Sequence, residues 1–208
     1  MITVVYFWQI KKVFLPIAIL FMAFHKFALM RLPGVSFVKL LGTGKGDSFT
    51  LKDANPYRWG ALVTIKETHL DILDNSKVIR QWKKIAKQEY RAILKPVSVH
   101  GLWSGKQPFD VEKLDWNGKI AAITRARIVW RKNVVFWRAV PPVTISLHQS
   151  PGLINAIGIG EAPIGLQGTF SLWESATHLR EFAYKGQAHT QAIKATEENK
   201  WYSEELFS

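Results

Sequence analysis

Hydrophobic and polar positions alternate along this chain in an order that occurs twice. Thr3–Gln9 is an apolar run rich in β-branched and aromatic residues and predicts a strand. Val13–Met30, apolar at nearly every position, predicts a helix, and Leu32-Pro33-Gly34 a turn. Ser36–Leu41 reads as a short strand running into Gly42-Thr43-Gly44-Lys45-Gly46, and Trp59–Ile65 as another strand. Thr68–Tyr90 predicts a helix with Thr68 at its N-cap, followed by a strand at Arg91–Val97. A loop rich in Gly, Pro and polar residues covers Ser98–Gly118, and the order then resumes. Ile120–Trp130 is a strand, Asn133–Leu147 is partly helical despite Pro141-Pro142, and Leu153–Ile159 and Gln167–Trp173 are strands. Ser175–Glu198 is a helix with Ser175 as N-cap. The chain then stops at Ser208, which leaves little room for a closing strand.

The two halves align. Leu41-Gly42-Thr43-Gly44 matches Ile157-Gly158-Ile159-Gly160, and Gly60–Ile65 matches Gly168–Trp173 at an offset of 108 residues. Thr68-His69-Leu70 matches Thr177-His178-Leu179 at an offset of 109. Three matches in one order imply a duplication, each half reading βαββαβ, the split βαβ unit of ferredoxin-like type. The expected class is α+β, two tandem ferredoxin-like repeats forming an intramolecular dimeric α/β barrel. Residues 1–97 would form the N-terminal half, 98–118 the linker and 119–208 the C-terminal half. Two sheets closing face to face would enclose an apolar chamber.

Val13–Met30 admits three readings. It spans 18 residues, but His25 and Lys26 interrupt it and Pro16 sits near its start. A membrane span wants about 20 predominantly apolar residues, and a secretory signal wants a basic segment ahead of its apolar core, where this chain has a strand-like run. A helix apolar on nearly every side is either deeply buried or faces something greasy. Deep burial is the preferred reading, with membrane-surface contact and a true span as alternatives.

Composition removes whole classes of chemistry. The 208 residues are 48% apolar and contain no cysteine. This excludes disulfides, thiolate-held zinc or iron–sulfur clusters, a cysteine nucleophile and a thiolate-ligated haem. It fits a cytoplasmic protein. Net charge is +12, and residues 1–150 carry 24 basic against 9 acidic side chains. Such an excess suits an anionic membrane surface, here the inner face, or nucleic acid. No RNP-type, helix-turn-helix or zinc-finger pattern is present, so nucleic acid is not the expected partner.

Candidate chemistry is sparse. Gly42-x-Gly44-x-Gly46 lacks the context of a dinucleotide fingerprint or a P-loop, and its repetition in the second half favours tight bends. None of the six histidines forms an i, i+4 metal pair. His69 and His178 are repeat equivalents at helix starts, which favours capping or packing. On the last helix the apolar stripe Leu179, Phe182, Ala183, Gly186, Ile193 carries His189 toward the sheet. His189 is either a hydrogen-bonded core histidine or an axial ligand to haem, with Gly186 leaving room for a flat cofactor. His100, beside Gly101 and Trp103, reads as a pocket-mouth residue or a plain surface-loop histidine. Arg125 and Arg127 share one strand face and either neutralise propionates or face solvent.

Several segments together resemble the spheroidene monooxygenase family of carotenoid-oxidising proteins. They are Pro33-Gly34-x-x-Phe37-x-Lys39-Leu40-Leu41-Gly42-Thr43-Gly44, Ser98-x-His100-Gly101-x-Trp103-Ser104-Gly105-x-x-Pro108-Phe109 and Ile123-Thr124-Arg125-Ala126. Ile157–Pro163, Thr169–Trp173 and Trp201–Phe207 complete the set. The resemblance implies an oxygenase that uses haem b on a long apolar polyene. It also implies likeness to the wider dimeric α/β barrel haem proteins, whose proximal histidine lies on a helix of the C-terminal unit. His189 is the residue that matches this position. An apolar pocket with Trp103, Phe170 and Trp173 as walls, and a partner protein or peroxide as electron source, would follow. The alternatives are a haem- or lipid-binding barrel without oxygenase activity, or a haem-dependent dehydratase or peroxidase.

Overall fold

The computed structural model describes residues 1–48, 53–161, 166–185 and 201–208. Four strands form the first half: β1 (Ile2–Ile10), β2 (Val35–Gly44), β3 (Ala54–Ile65) and β4 (Ala86–Leu94). Its helices are α1 (Leu15–Met30), α2 (Leu70–Asp74) and α3 (Lys77–Ile85). The segment between the halves contributes the two-residue strand β5 (His100–Gly101). The second half holds β6 (Ile120–Ile128), α4 (Asn133–His148), β7 (Leu153–Gly160), β8 (Leu166–Trp173), α5 (Ala176–Lys185) and β9 (Tyr202–Phe207). The closing strand expected to be barely present is a full six residues, hydrogen-bonded to β6 on one side and β5 on the other.

The nine strands of the described residues join one sheet in the order β4-β1-β3-β2-β7-β8-β6-β9-β5. The first four places are one ferredoxin-like unit and the next four are its repeat in mirrored order. The halves meet at β2 and β7, where Gly42 pairs with Gly160 and Thr43 with Ile159. Both repeated Gly-x-Gly segments therefore serve this seam. A methyl on Gly44 would reach within 3.6 Å of the Gly158 Cα, and Gly46 lies in the left-handed region against the Ala156 carbonyl. The glycine motifs are bends and close approaches, as their repetition suggests.

Strand residues alternate between two faces. One face turns inward, where both halves contribute to a single core. Phe7 of β1 meets Phe170 of β8 at 5.4 Å, and Leu41, Leu62, Ile157 and Leu206 pack around them. Trp103 and Phe109, from the segment read as a linker, plug this core. Side chains of both halves and of this plug pack much of the inward space, while Ile123, Ile159 and Glu161 of the same face also border a cavity.

The outward faces carry the helices. In the first half Trp8 stacks on Trp82 of α3 at 5.0 Å and on Tyr6 at 5.3 Å, and Phe21 of α1 meets the edge of Trp82 at 5.2 Å. The helix predicted for Thr68–Tyr90 is shorter. A break at Asn75 and Ser76 splits it, the Ile79 N–H donates to Ser76 Oγ (3.3 Å), and Ala86–Tyr90 joins β4. Pairing with β1, including Trp8 against Glu89, overrides helix propensity there. Ser76, not Thr68, supplies the side-chain cap. Ser175 does cap α5, accepting from the His178 N–H at 3.4 Å. His69 and His178 pack over equivalent left-handed glycines, Gly34 (φ 77°) and Gly152 (φ 75°). Helix α1 is not deeply buried. Only Ala18, Phe21, His25 and Leu29 of it are buried, with Met22 partly buried beside them.

Candidate functional site

The pairing registers equate positions in the two halves one by one. Val4, Tyr6 and Trp8 of β1 lie opposite Val63, Ala61 and Trp59. Ala122, Thr124 and Ala126 of β6 lie opposite Ser171, Thr169 and Gln167, the same β3 positions shifted by 108. By the same rule Val38 and Leu40 of β2 correspond to Ala156 and Gly158 of β7. Five outward-facing positions that carry Val, Tyr, Trp, Val and Leu in the first half carry Ala, Thr, Ala, Ala and Gly in the second.

A cavity lies where four of these positions lack bulk, and it extends well beyond them. About 1780 Å³ lies against Ala122, Thr124, Ala126 and Gly158, under Leu147 of α4 and Leu179 of α5. It extends past Gly42 and Gly160 at the seam to Trp59 and to Met22 of α1. Ordinary small-molecule pockets hold about 300–1,000 Å³. The walls are largely aliphatic and aromatic, and Thr124, Tyr202, Glu205, His100 and Arg180 supply polar groups.

Glu205 has a legible origin. In the first half the Trp8 Nε1–H donates to Glu89 Oε2 at 2.8 Å across the β1–β4 pair. In the second half Ala126 pairs with Glu205. The carboxylate position is kept while the indole it would serve is replaced by a methyl group, so an acid stands on the cavity wall. Sequence reading missed Glu205. The signal was the repeat itself, once the strands are registered.

A second polar centre lies on the inward face of the sheet. Lys39 of β2 and Arg125 of β6 are buried, and each pairs with Glu161, which follows β7. Arg125 also pairs with Glu204 of β9. The Trp103 Nε1–H donates to Glu161 (2.6 Å), Lys39 to Ser104 Oγ (2.6 Å), and the N–H groups of Ser104 and Gly105 to Glu204 (3.0 and 2.6 Å). Two cations and two carboxylates balance, which is the condition for burying charge. Burial pushes Glu204 up, but the two N–H groups and Arg125 outweigh it and hold the carboxyl below its usual range. Burial is the largest influence on Lys39 and lowers its ammonium, against the pull of Glu161.

The expected site residues disperse. Arg125 belongs to this cluster with Trp103, and its guanidinium is engaged by Glu161 and Glu204 instead of facing the cavity or solvent. Arg127, two residues on, is exposed. Trp103 and Phe170 sit in the inward core and do not wall the cavity, because their strand parity and the plug segment turn them inward. Trp173 closes one end of the second layer, tilted against Phe182 at 5.3 Å with its Nε1–H donating to Ser171 Oγ (2.9 Å). His100 is exposed on β5 and does line the cavity. His189 and Gly186 lie outside the described residues. Among the described residues no three His, Asp or Glu side chains gather as a metal-binding group.

No protein-family model matches the chain. Spheroidene monooxygenases of Cereibacter sphaeroides, Rhodobacter capsulatus and Rubrivivax gelatinosus are 35, 34 and 32% identical to it, over 90, 85 and 84% of its length. The chain spans 59% of the length of the first relative, and 75% and 68% of the other two. Among solved structures, an aldoxime dehydratase superposes with a TM-score of 0.58 at 10% identity, over 99% of this chain and 79% of the other. An aldoxime dehydratase in complex with butyraldoxime gives 0.54 at 11% identity, over 99% and 77%. These two share the barrel fold. With identity above 30% over most of its own length and at least two thirds of two relatives, this chain belongs to the spheroidene monooxygenase family.

Proposed function

We propose that this chain is a haem-dependent monooxygenase acting on a long apolar polyene, a carotenoid, held in the cavity of the second layer. The observation that supports the reading is the loss of bulk at five equivalent positions of one half only, in a family whose relatives are named for spheroidene oxidation. The wall fits haem: small side chains at Ala122, Ala126 and Gly158 suit a flat macrocycle, and Arg180, Lys95 and Lys119 are cations for its carboxylates. His189 is the residue proposed to hold the haem iron, and His100 on the wall is the next imidazole to test. Bound haem would supply an iron for dioxygen activation, with electrons from a partner protein or with peroxide in their place. The apolar walls would exclude water and align the polyene along the cavity. Glu205 and Thr124 offer a carboxylate and a hydroxyl that can hold or pass a proton at the wall.

The test is the visible absorption spectrum of the purified full chain, oxidised and reduced, for wild type and His189→Ala. The reading expects a Soret band that the variant loses, and oxygenated carotenoid when reductant is supplied to wild type. A band that survives in His189→Ala moves the ligand to His100. Haem binding without polyene oxidation leaves a binding protein, and no saturable Soret change on adding hemin removes haem from the account.

A further inference from the structure

Helix α1 presents to solvent what most helices hide. Val13, in the 3-10 turn that leads into it, and Ile17, Leu20, Phe24 and Phe27 recur at steps of four and three, so they form one stripe. All five are exposed, Phe24 at 66%, Phe27 at 64% and Leu20 at 56%. Ile19 and Met30 widen the stripe to one side. Contiguous exposed apolar surface of this kind marks an interaction site.

We propose that α1 docks the protein in the plane of an anionic lipid bilayer, with this stripe in the acyl region and the opposite face still packed on the barrel. Charge decides between possible occupants. Lys11, Lys12, Lys26 and Arg31 are exposed along and beside the helix, and the first acidic residue in the chain is Asp47. A second copy meeting this stripe by the same helix would set lysines against lysines, and residues 1–46 offer no carboxylate to pair with them. An anionic headgroup layer instead complements all four cations while the stripe enters the bilayer. Lys12–Met30 is long and apolar enough to cross a membrane, but a crossing helix would have to leave its packing on the protein. Phe21 stacks on His25 at 4.2 Å and both rings abut Trp82, and Ala18 and Leu29 are fully buried beside them.

The docking helix and the cavity share a residue. Met22, on the side of α1 away from Phe24, lines the cavity. A bilayer held at α1 therefore lies beside one end of the apolar cavity, a route by which a lipid-dissolved substrate could enter. This route rests on reading the cavity as the site of an apolar substrate; the docking itself does not.

The chain has no cysteine, so Phe24→Cys creates a unique attachment point for an environment-sensitive nitrobenzoxadiazole dye. The experiment uses the full chain and vesicles of phosphatidylcholine, alone or with phosphatidylglycerol, without substrate or haem, so its outcome is independent of the catalytic reading. The proposal expects a blue shift at Phe24→Cys on anionic vesicles and none at Leu114→Cys. It expects vesicle flotation at least tenfold weaker for Phe24→Ser/Phe27→Ser, and a loss of about fivefold per cation for Lys11→Gln/Lys12→Gln/Lys26→Gln. Binding of wild type should fall steeply with salt. Any of three results overturns it: no dye shift with unchanged flotation of the Phe24/Phe27 variant; carbonate-resistant, protease-protected insertion, which means a span; or a concentration-dependent dimer abolished by the same double substitution without vesicle binding, which means a second copy.

Discussion

Ala126→Trp would return to the second half the side chain that the first half carries as Trp8, at the same place in the sheet. If the cavity is the space left by missing bulk, an indole should enter it without displacing the sheet or α4. A Trp buries 150–250 Å², so at ~25 cal/mol per Å² the gross gain is about 4–6 kcal/mol. That sum uses an extended reference chain and is an upper bound. Immobilising the side chain and imperfect fit against unmatched neighbours remove about 1–3 kcal/mol. The Nε1–H has a partner waiting in Glu205, as Trp8 has in Glu89, so no buried donor is orphaned. The expected net stabilisation is about 1–3 kcal/mol, a rise in melting temperature of roughly 2–10 °C for a chain of this size. The reciprocal change, Trp8→Ala, removes a fully buried ring stacked between Tyr6 and Trp82 and should cost about 3–5 kcal/mol.

The assay is thermal and urea unfolding of the three proteins, with hemin titration of each. Ala126→Trp should be more stable than wild type and lose saturable hemin binding. Trp8→Ala should be less stable and, where folded, keep it. A destabilised Ala126→Trp, or one that binds hemin as wild type does, would refute the idea that this cavity is the first-half layer with its bulk removed and is the cofactor site.

Arg125→Met leaves Glu204 and Glu161 without their shared cation; breaking a buried pair costs about 3–5 kcal/mol, and the residual solvent at both carboxylates argues for the low end, read as a fall in the urea midpoint. Burial of His25, opposed by its hydrogen bond to Gln81, lowers its pKa below the ordinary 6.5. The unfolded chain then takes up a proton before the folded chain does, so stability should fall as pH drops through about 6.5 and below, and His25→Gln should flatten that limb in urea unfolding between pH 7 and 5. Gly152→Ala would put a methyl into the His178 ring at a left-handed backbone position and should cost about 2 kcal/mol or more by thermal unfolding. Combining it with His178→Ala should recover the steric part and leave the backbone part.

The duplication was legible because strand periodicity and Gly-x-Gly survive in both halves, and matched segments in one order specify the βαββαβ unit. Helix α1 was legible as an element and misread in depth, because uniform apolarity does not say which neighbour already fills the layer. The over-long helix after Thr68 failed for a related reason: Ala86–Tyr90 carries no strong local signal, and β1 decides its state by pairing. Two closing faces imply a chamber, but strand order alone does not say that Phe7, Phe170, Trp103 and Phe109 pack much of the inward space. The cavity is written in small residues at positions whose repeat partners are large, a comparison that needs strand register as well as sequence. Glu205 became visible only through the same comparison. The charge cluster was hidden because Lys39, Trp103, Arg125, Glu161 and Glu204 are far apart in the chain, and a list of motifs carries no distances.

The resemblance segments line the cavity, and five of them also meet at that cluster. Lys39, Trp103-Ser104-Gly105, Arg125, Glu161 and Glu204 come from five of the quoted segments and meet through hydrogen bonds and ion pairs on the inward face. They tie β2 of the first half to the plug segment and to β6, β7 and β9 of the second. Their physical work is closure: charges this deep are stable only in mutual register, so they penalise any slip of one half against the other. The seam glycines act with them, since they allow β2 and β7 to pair at Gly42 and Gly160 with no side chains between. A barrel locked in this way can leave one outward layer underfilled. The first layer supplies the stacked Tyr6–Trp8–Trp82 core, while the second gives up that burial for space. Changes at the cluster should therefore move stability first, whereas changes at Ala122, Thr124, Ala126, Gly158 and Glu205 should move ligand choice and chemistry with little cost to the fold.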